Sequence, residues 1–167
     1  LRIHFVSSID GTQIADLLNT LRQDSTLLVI ASKSFTTLDT LSNAETALTW
    51  MQSRLKQRDH ILQHHVVGIS AKPEKMTAYG IPEANQIRLW DWVGGRTSVM
   101  SAVGTIAAAL QGVDVRGFLA GAAAMDAETR TRSARQNPAM LLALMWFSAG
   151  KGKGAKDMVV LPYKDRL

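Results

Sequence analysis

Apolar positions along this chain follow two alternating rhythms: short continuous runs that suit strands, and stripes at steps of three and four that suit helices. Residues 3–6 (Ile-His-Phe-Val) form a strand-like run, and Asp10-Gly11-Thr12 starts a helix that extends through Leu21. Residues 26–31 (Thr-Leu-Leu-Val-Ile-Ala) are almost continuously apolar and partly β-branched, as in a strand buried on both faces, and this is the most buried strand expected. A long helix follows, because Leu41, Ala44, Leu48, Met51 and Leu55 share one face, with Arg54, Lys56 and Arg58 near its C-terminal end. Residues 65–70 predict the next strand, and Lys72-Pro73-Glu74 opens a short helix with proline in its first turn. Residues 85–90 predict a strand leading into Gly94-Gly95, and residues 98–110 a small-residue helix able to pack closely on a sheet. Two more helices are expected at 117–128 and 138–149, and a final strand at 158–161.

Strands alternating with helices imply an α/β fold: a three-layer sandwich with a mostly parallel sheet flanked by helices on both faces. No internal repeat or low-complexity linker interrupts the 167 residues, so a single domain over residues 1–167 is expected. An apolar content of 46% and a charged content of 20% belong to a folded chain, not a disordered one. The absence of cysteine excludes disulfides and thiolate metal sites, and fits a cytoplasmic setting. The net charge of +5 has its clearest local source in Lys151, Lys153 and Lys156, in a glycine-rich run that reads as a solvated loop. Aromatics at 6% are too sparse for a basic face with interleaved rings, so no nucleic-acid partner is expected. The longest apolar run, residues 139–147, is under half of the roughly 20 residues a spanning helix needs, so no membrane partner is expected either. The chain opens Leu1-Arg2-Ile3-His4, with neither an initiator methionine nor a signal-peptide pattern, and is expected to be a piece of a longer protein.

Two loops carry the candidate chemistry. In residues 91–104 (Asp-Trp-Val-Gly-Gly-Arg-Thr-Ser-Val-Met-Ser-Ala-Val-Gly), side chains vanish at Gly94 and Gly95 just before Arg96, and a helix follows. Bare backbone, a helix start and a guanidinium all favour an oxyanion, although a tight turn with a surface arginine accounts for Gly-Gly-Arg by itself. The second loop, Ser32-Lys33-Ser34-Phe35-Thr36-Thr37, places four hydroxyls and a lysine between a strand end and a helix start, where α/β sheets bind ligands. One N-cap needs one hydroxyl, so four are a surplus that suits a phosphate. No Gly-x-x-x-x-Gly-Lys-Ser or Gly-x-Gly-x-x-Gly follows a strand, which disfavours nucleotide and flavin binders. His60, His64 and His65 lie at a helix-to-strand connection and read as solvated; His60 and His64 have metal-binding spacing but no third ligand in evidence.

Together the two loops resemble the glucose-6-phosphate isomerase family. Its sugar-isomerase domain carries Ser-Lys-Thr-Phe-Thr-Thr-x-Glu-Thr, and residues 32–40 read Ser-Lys-Ser-Phe-Thr-Thr-Leu-Asp-Thr. Its Asp-Trp-Val-Gly-Gly-Arg signature, with serine two residues on, is matched by residues 91–98. The resemblance runs from Arg2-Ile3-His4-Phe5-Val6-Ser7 to Leu161-Pro162-Tyr163, and with Lys164-Asp165-Arg166 it is most similar to the cyanobacterial-type branch, which includes fusions to transaldolase. It implies a flavodoxin-like sugar-isomerase fold in which Ser32, Ser34, Thr37 and the amide of Lys33 hold the sugar 6-phosphate. It likewise implies that Gly95 and Arg96 lie beside the reacting carbons, with Arg96 stabilising an enediolate as a proton moves between C2 and C1. Asp39 stands where the family usually has the Glu that partners its ring-opening histidine, one methylene shorter. Thr97 replaces the common aromatic after the arginine.

The family's base-bearing Gln-x-x-Glu segment does not occur in this chain. Its ring-opening histidine, its C-terminal lysine and its upstream Gly-Gly-Ser phosphate loop are missing as well. The resemblance therefore implies one sugar-isomerase domain of a longer enzyme, inactive alone and needing no cofactor or metal. Its expected partners are glucose 6-phosphate and fructose 6-phosphate, the remainder of the same chain, and a second copy in a homodimer. The competing reading is a non-catalytic phosphosugar-binding regulatory domain, which predicts tight binding by this chain alone and no missing catalytic half.

Overall fold

In the computed structural model, which describes residues 1–159, three of the apolar runs become strands: β1 (Leu28–Ala31), β2 (Val66–Ser70) and β3 (Gln86–Arg88). They pair in parallel in the order β1-β2-β3, with Ile30 opposite Gly68 and Ile69 opposite Ile87. Successive side chains point to opposite faces of a sheet, and each face has its own cover. Ile30 and Val66 join a buried cluster with helices α2 (Leu38–Leu55), α3 (Arg58–His64) and α4 (Pro73–Tyr79), built around Leu48, Met51, Ile61 and Met76. Val29, Ile69 and Ile87 pack on the other face against Leu89, Val93 and helix α5 (Ala102–Leu110), which contributes Ala102, Val103 and Ile106. The expected sandwich of a parallel sheet between helices is therefore present.

These elements occupy a first compact unit, Leu1–Val115. Its first helix, α1 (Gly11–Thr20), starts where Asp10 accepts a 2.9 Å hydrogen bond from the Thr12 amide. Helix α4 has proline in its first turn and ends at Gly80, whose φ of 101° is a left-handed stop suited to glycine. The second unit, Arg116–Leu167, takes in most of α6 (Val115–Thr129) and all of α7 (Pro138–Ala149). Asn137, almost fully buried, joins the two by donating to the carbonyls of Thr129 and Thr131 and accepting from the Met140 amide. The lysine run that follows is an exposed series of turns with positive φ at Lys151, Gly152 and Gly154. Among the described residues no helix is long and apolar enough to cross a membrane.

Several sequence expectations are corrected. Residues 3–6 form no strand; no neighbouring strand offers them a ladder, and a short apolar run does not hold a β conformation alone. The most buried strand is β2, not β1. As an edge strand, β1 leaves Ala31 exposed and Leu28 and Val29 half-buried, whereas four of the five residues of the central strand β2 are buried. Helix α3 stands where a connection is expected, because only Ile61 and Leu62 are apolar enough to bury in its seven residues, too few for a periodic signal. Helix α5 begins at Ala102 rather than at 98, since Ser101 is its N-cap and a turn at 98–101 precedes it. For the strand expected at 158–161, Met158 and Val159 carry no strand, and the rest lies outside the described residues.

One ion pair links two of the core helices. The two terminal Arg58 guanidinium nitrogens donate to the Glu45 carboxylate at 2.9 and 3.0 Å, joining α3 to α2, and this hydrogen bonding holds the Glu45 carboxyl below its ordinary value. A depressed carboxylate pKa contributes stability above the unfolded value and loses it as pH falls through the folded one. Glu45 is half exposed, so Glu45→Gln is expected to destabilise the fold by no more than about 1 kcal/mol at pH 7. The difference from the parent chain should shrink as pH falls below about 4, through the depressed Glu45 value. Urea melts at several pH values check this, and a constant difference down to pH 3 would contradict it.

Candidate functional site

The site lies at the C-terminal ends of the three strands. Immediately after β1, Ser32 is buried at 7% exposure, and its amide donates to the Ile69 carbonyl at 3.0 Å, continuing the sheet pairing. Phe35 then adopts φ = 49°, a left-handed conformation that costs a bulky residue roughly 1–2 kcal/mol. What holds it there is its ring, buried in the core and packed edge-on against Tyr79 with centroids 5.6 Å apart. One anchored aromatic thus turns the chain so that the hydroxyls on either side of it stay near the surface.

The four hydroxyls form two pairs. Ser32 Oγ lies 3.2 Å from Thr37 Oγ1, and Thr36 donates to Ser34 Oγ at 2.8 Å. Thr37 occupies the N-cap position of α2 but makes no side-chain capping bond, because its hydroxyl is turned to Ser32. Simple N-capping therefore does not explain this hydroxyl-rich segment. Among the described residues the first-turn amides of α2 receive no side-chain acceptor, and uncapped helix amides beside hydroxyls attract an oxyanion. Asp39 sits in that first turn, exposed, with no ion pair among the described residues.

The second candidate loop follows β3. Gly95, Arg96 and Thr97 form a single 3-10 turn, with Arg96 exposed and unpaired among the described residues. A Cβ on Gly94 would meet Thr97 Oγ1 at 3.0 Å, but one on Gly95 would meet nothing within 4 Å, and Gly95 has no positive φ. The fold itself does not require glycine at 95, so the open space beside it faces outward.

Lys33 brings the two loops together. Its ammonium donates to the carbonyls of Asp91 and Val93, each at 2.8 Å, while its own carbonyl accepts from the Ala71 amide and the Ser70 hydroxyl, each at 3.0 Å. Lys72 Nζ adds a 3.6 Å contact to Asp91 Oδ1. The ends of all three strands are thereby joined through one residue that sequence reasoning valued only for its amide. The anchoring role of Phe35 was missed too; its signal was a lone aromatic inside a run of hydroxyls.

The histidines lie elsewhere. His60 and His64 are exposed on α3 with ring centroids 4.6 Å apart, and His65 Nδ1 lies 3.0 Å from the Thr26 carbonyl oxygen. No group of three or more His, Cys, Asp or Glu gathers to hold a metal ion among the described residues.

Comparisons with known proteins identify the family to which the chain is related. The phosphoglucose isomerase family model matches residues 1–167. Glucose-6-phosphate isomerases of Acinetobacter venetianus and Acinetobacter baylyi are 45% and 46% identical over the full chain, which covers 30% of each relative. The counterpart from Hydrogenovibrio crunogenus is 45% identical, with 31% of its length covered. The chain thus spans about a third of the length of the curated relatives it matches. Among solved structures, a glucose-6-phosphate isomerase from Chlamydia trachomatis superposes with a TM-score of 0.75 at 31% identity, covering 89% of this chain and 28% of that one. A hypothetical protein of Thermus thermophilus shares the fold, with a TM-score of 0.78 at 24% identity over 90% of this chain and 36% of the other. With the paired hydroxyl and arginine loops in place and the family model matched from end to end, the chain belongs to the phosphoglucose isomerase family.

Proposed function

We propose that this chain is one sugar-isomerase domain of a cytoplasmic glucose-6-phosphate isomerase, which interconverts glucose 6-phosphate and fructose 6-phosphate in glycolysis and gluconeogenesis. Ser32, Ser34, Thr37 and the Lys33 amide hold the 6-phosphate, and Gly95 and Arg96 lie beside C1 and C2. The carrying observation is the uncapped start of α2, where Thr37 turns its hydroxyl to Ser32 instead of to the helix amides. Arg96, with no internal partner among the described residues, is free to meet the enediolate oxygen that develops as the proton moves from C2 to C1. Asp39 is assigned the place of the family Glu, and the base, the ring-opening histidine and a second copy of the chain belong to the rest of a longer homodimeric protein.

Titrating the isotopically labelled chain with glucose 6-phosphate should shift the Ser34, Thr37 and Arg96 amides at millimolar ligand. Thr37→Ala should weaken that binding about tenfold, the effect of one hydrogen bond to a charged group. No shift at millimolar ligand would reject the half-site. Conversion of fructose 6-phosphate by this chain alone, at the rate of an intact enzyme, would reject its assignment as a part.

A further inference from the structure

Gly94 and Gly95 separate Arg96 from Val93, and glycine leaves the backbone freer than any other residue. The position of Arg96 therefore depends on where the chain is last fixed before the pair. That point is the Val93 carbonyl, held with the Asp91 carbonyl by Lys33 at 2.8 Å each, across 60 and 58 residues of sequence. An ammonium has three donors, and two of them are engaged here. The carbonyl of Lys33 is in turn fixed by Ser70 and Ala71 at the end of β2, so the lysine reaches the arginine loop from a braced backbone. Val93 itself is buried at 6% exposure, which seats the loop on the α5 face of the sheet.

We propose that Lys33 is the positioning residue of Arg96, a clamp that sets the arginine turn at a fixed separation from the hydroxyl loop and spends its ammonium on the protein instead of on the phosphate. This rests on the sugar-phosphate reading above. A ligand gripped at Ser32, Ser34 and Thr37 then presents its C1 and C2 to an arginine already in place. Such fixed geometry governs reaction rate more than affinity, because small misplacements of a catalytic group slow the chemistry steeply.

Amide hydrogen exchange of the labelled chain without ligand is the first measurement. Lys33→Met is expected to raise exchange at Val93 and Thr97, whose amides donate to the Trp90 and Gly94 carbonyls, at least about tenfold, with Met51 in the buried part of α2 unchanged as the folding control. Lys33→Arg, whose guanidinium has donors for both carbonyls, should restore protection to within about twofold. With glucose 6-phosphate added, Lys33→Met should keep the Ser34 and Thr37 shifts at a similar midpoint and lose the Arg96 shift. In a full-length isomerase carrying this chain, kcat should fall about 30-fold while KM changes less than about threefold. Unchanged exchange at Val93 and Thr97, or an intact loop with lost Ser34 and Thr37 shifts, overturns the proposal; the latter outcome makes Lys33 a phosphate ligand. If the unmodified chain ignores glucose 6-phosphate, the sugar-phosphate reading fails, while the ligand-free exchange still decides the role of Lys33.

Discussion

Replacing Arg96 by methionine in a full-length isomerase carrying this chain is expected to lower kcat about 10²–10³-fold and leave KM within about threefold. Isomerisation through an enediolate puts negative charge on an oxygen that is neutral in the bound sugar. A cation fixed beside that oxygen therefore acts more strongly in the transition state than in the ground state. Arg96 suits this role by what it does not do: it is exposed, and no carboxylate among the described residues neutralises it. A guanidinium stays charged across the working pH range, so the loss should be the same at pH 6 and pH 9. Arg96→Lys keeps the charge and loses the planar fork, and an intermediate loss of about tenfold is expected. Steady-state kinetics at several pH values decide the matter. A raised KM at unchanged kcat would place Arg96 on the phosphate, since uniform binding of substrate and transition state leaves turnover untouched.

Much of the frame was legible along the chain because its signals are local. Helix α7 starts and ends at 138 and 149 as expected, set by proline in its first turn and an Asn cap before it. Asp10 caps α1, and Gly80 ends α4, for similarly short-range reasons. The hydroxyl run and the Gly-Gly-Arg loop were visible as chemistry before any fold was known. What stayed hidden depends on distant partners. Residues 3–6 have strand composition and no strand to pair with, and β1 has a core strand's sequence but an edge position. The clamp between Lys33 and the Asp91 and Val93 carbonyls spans about 60 residues, and backbone carbonyls leave no trace in residue types. Phe35 is the instructive case: its left-handed φ is invisible locally, because only burial against Tyr79 makes a strained conformation worthwhile.

The turn that carries Arg96 also depends on Gly104, and Gly104→Ala is expected to destabilise the first unit by about 3 kcal/mol, at the upper end for an overpacked site. At most exposed helix positions the same change stabilises by up to about 1 kcal/mol, so the sign is the test. The reason is steric. A Cβ at Gly104 would stand 2.1 Å from the Val99 carbonyl oxygen and 2.8 Å from Val99 Cα, both backbone atoms that cannot swing aside as a side-chain tip can. The close approach arises because the chain at 98–101 folds back on the first turn of α5, where the Ser101 amide donates to Ser98 O and the Ser101 hydroxyl caps Val103. Relief of the clash must move Val99 away from α5 or tilt α5 off the sheet, where Ala102, Val103 and Ile106 pack. The first movement pulls on Ser98, two residues from Arg96, so kcat should fall along with stability in a full-length enzyme. Gly11→Ala supplies the control: a Cβ there meets nothing within 4 Å, and its helix start should accept the methyl at no cost or with a small gain. Denaturant melts should place Gly104→Ala well below the parent and Gly11→Ala at or slightly above it, and a Gly104→Ala chain as stable as the parent would show that the 98–101 turn does not need to lie against the helix.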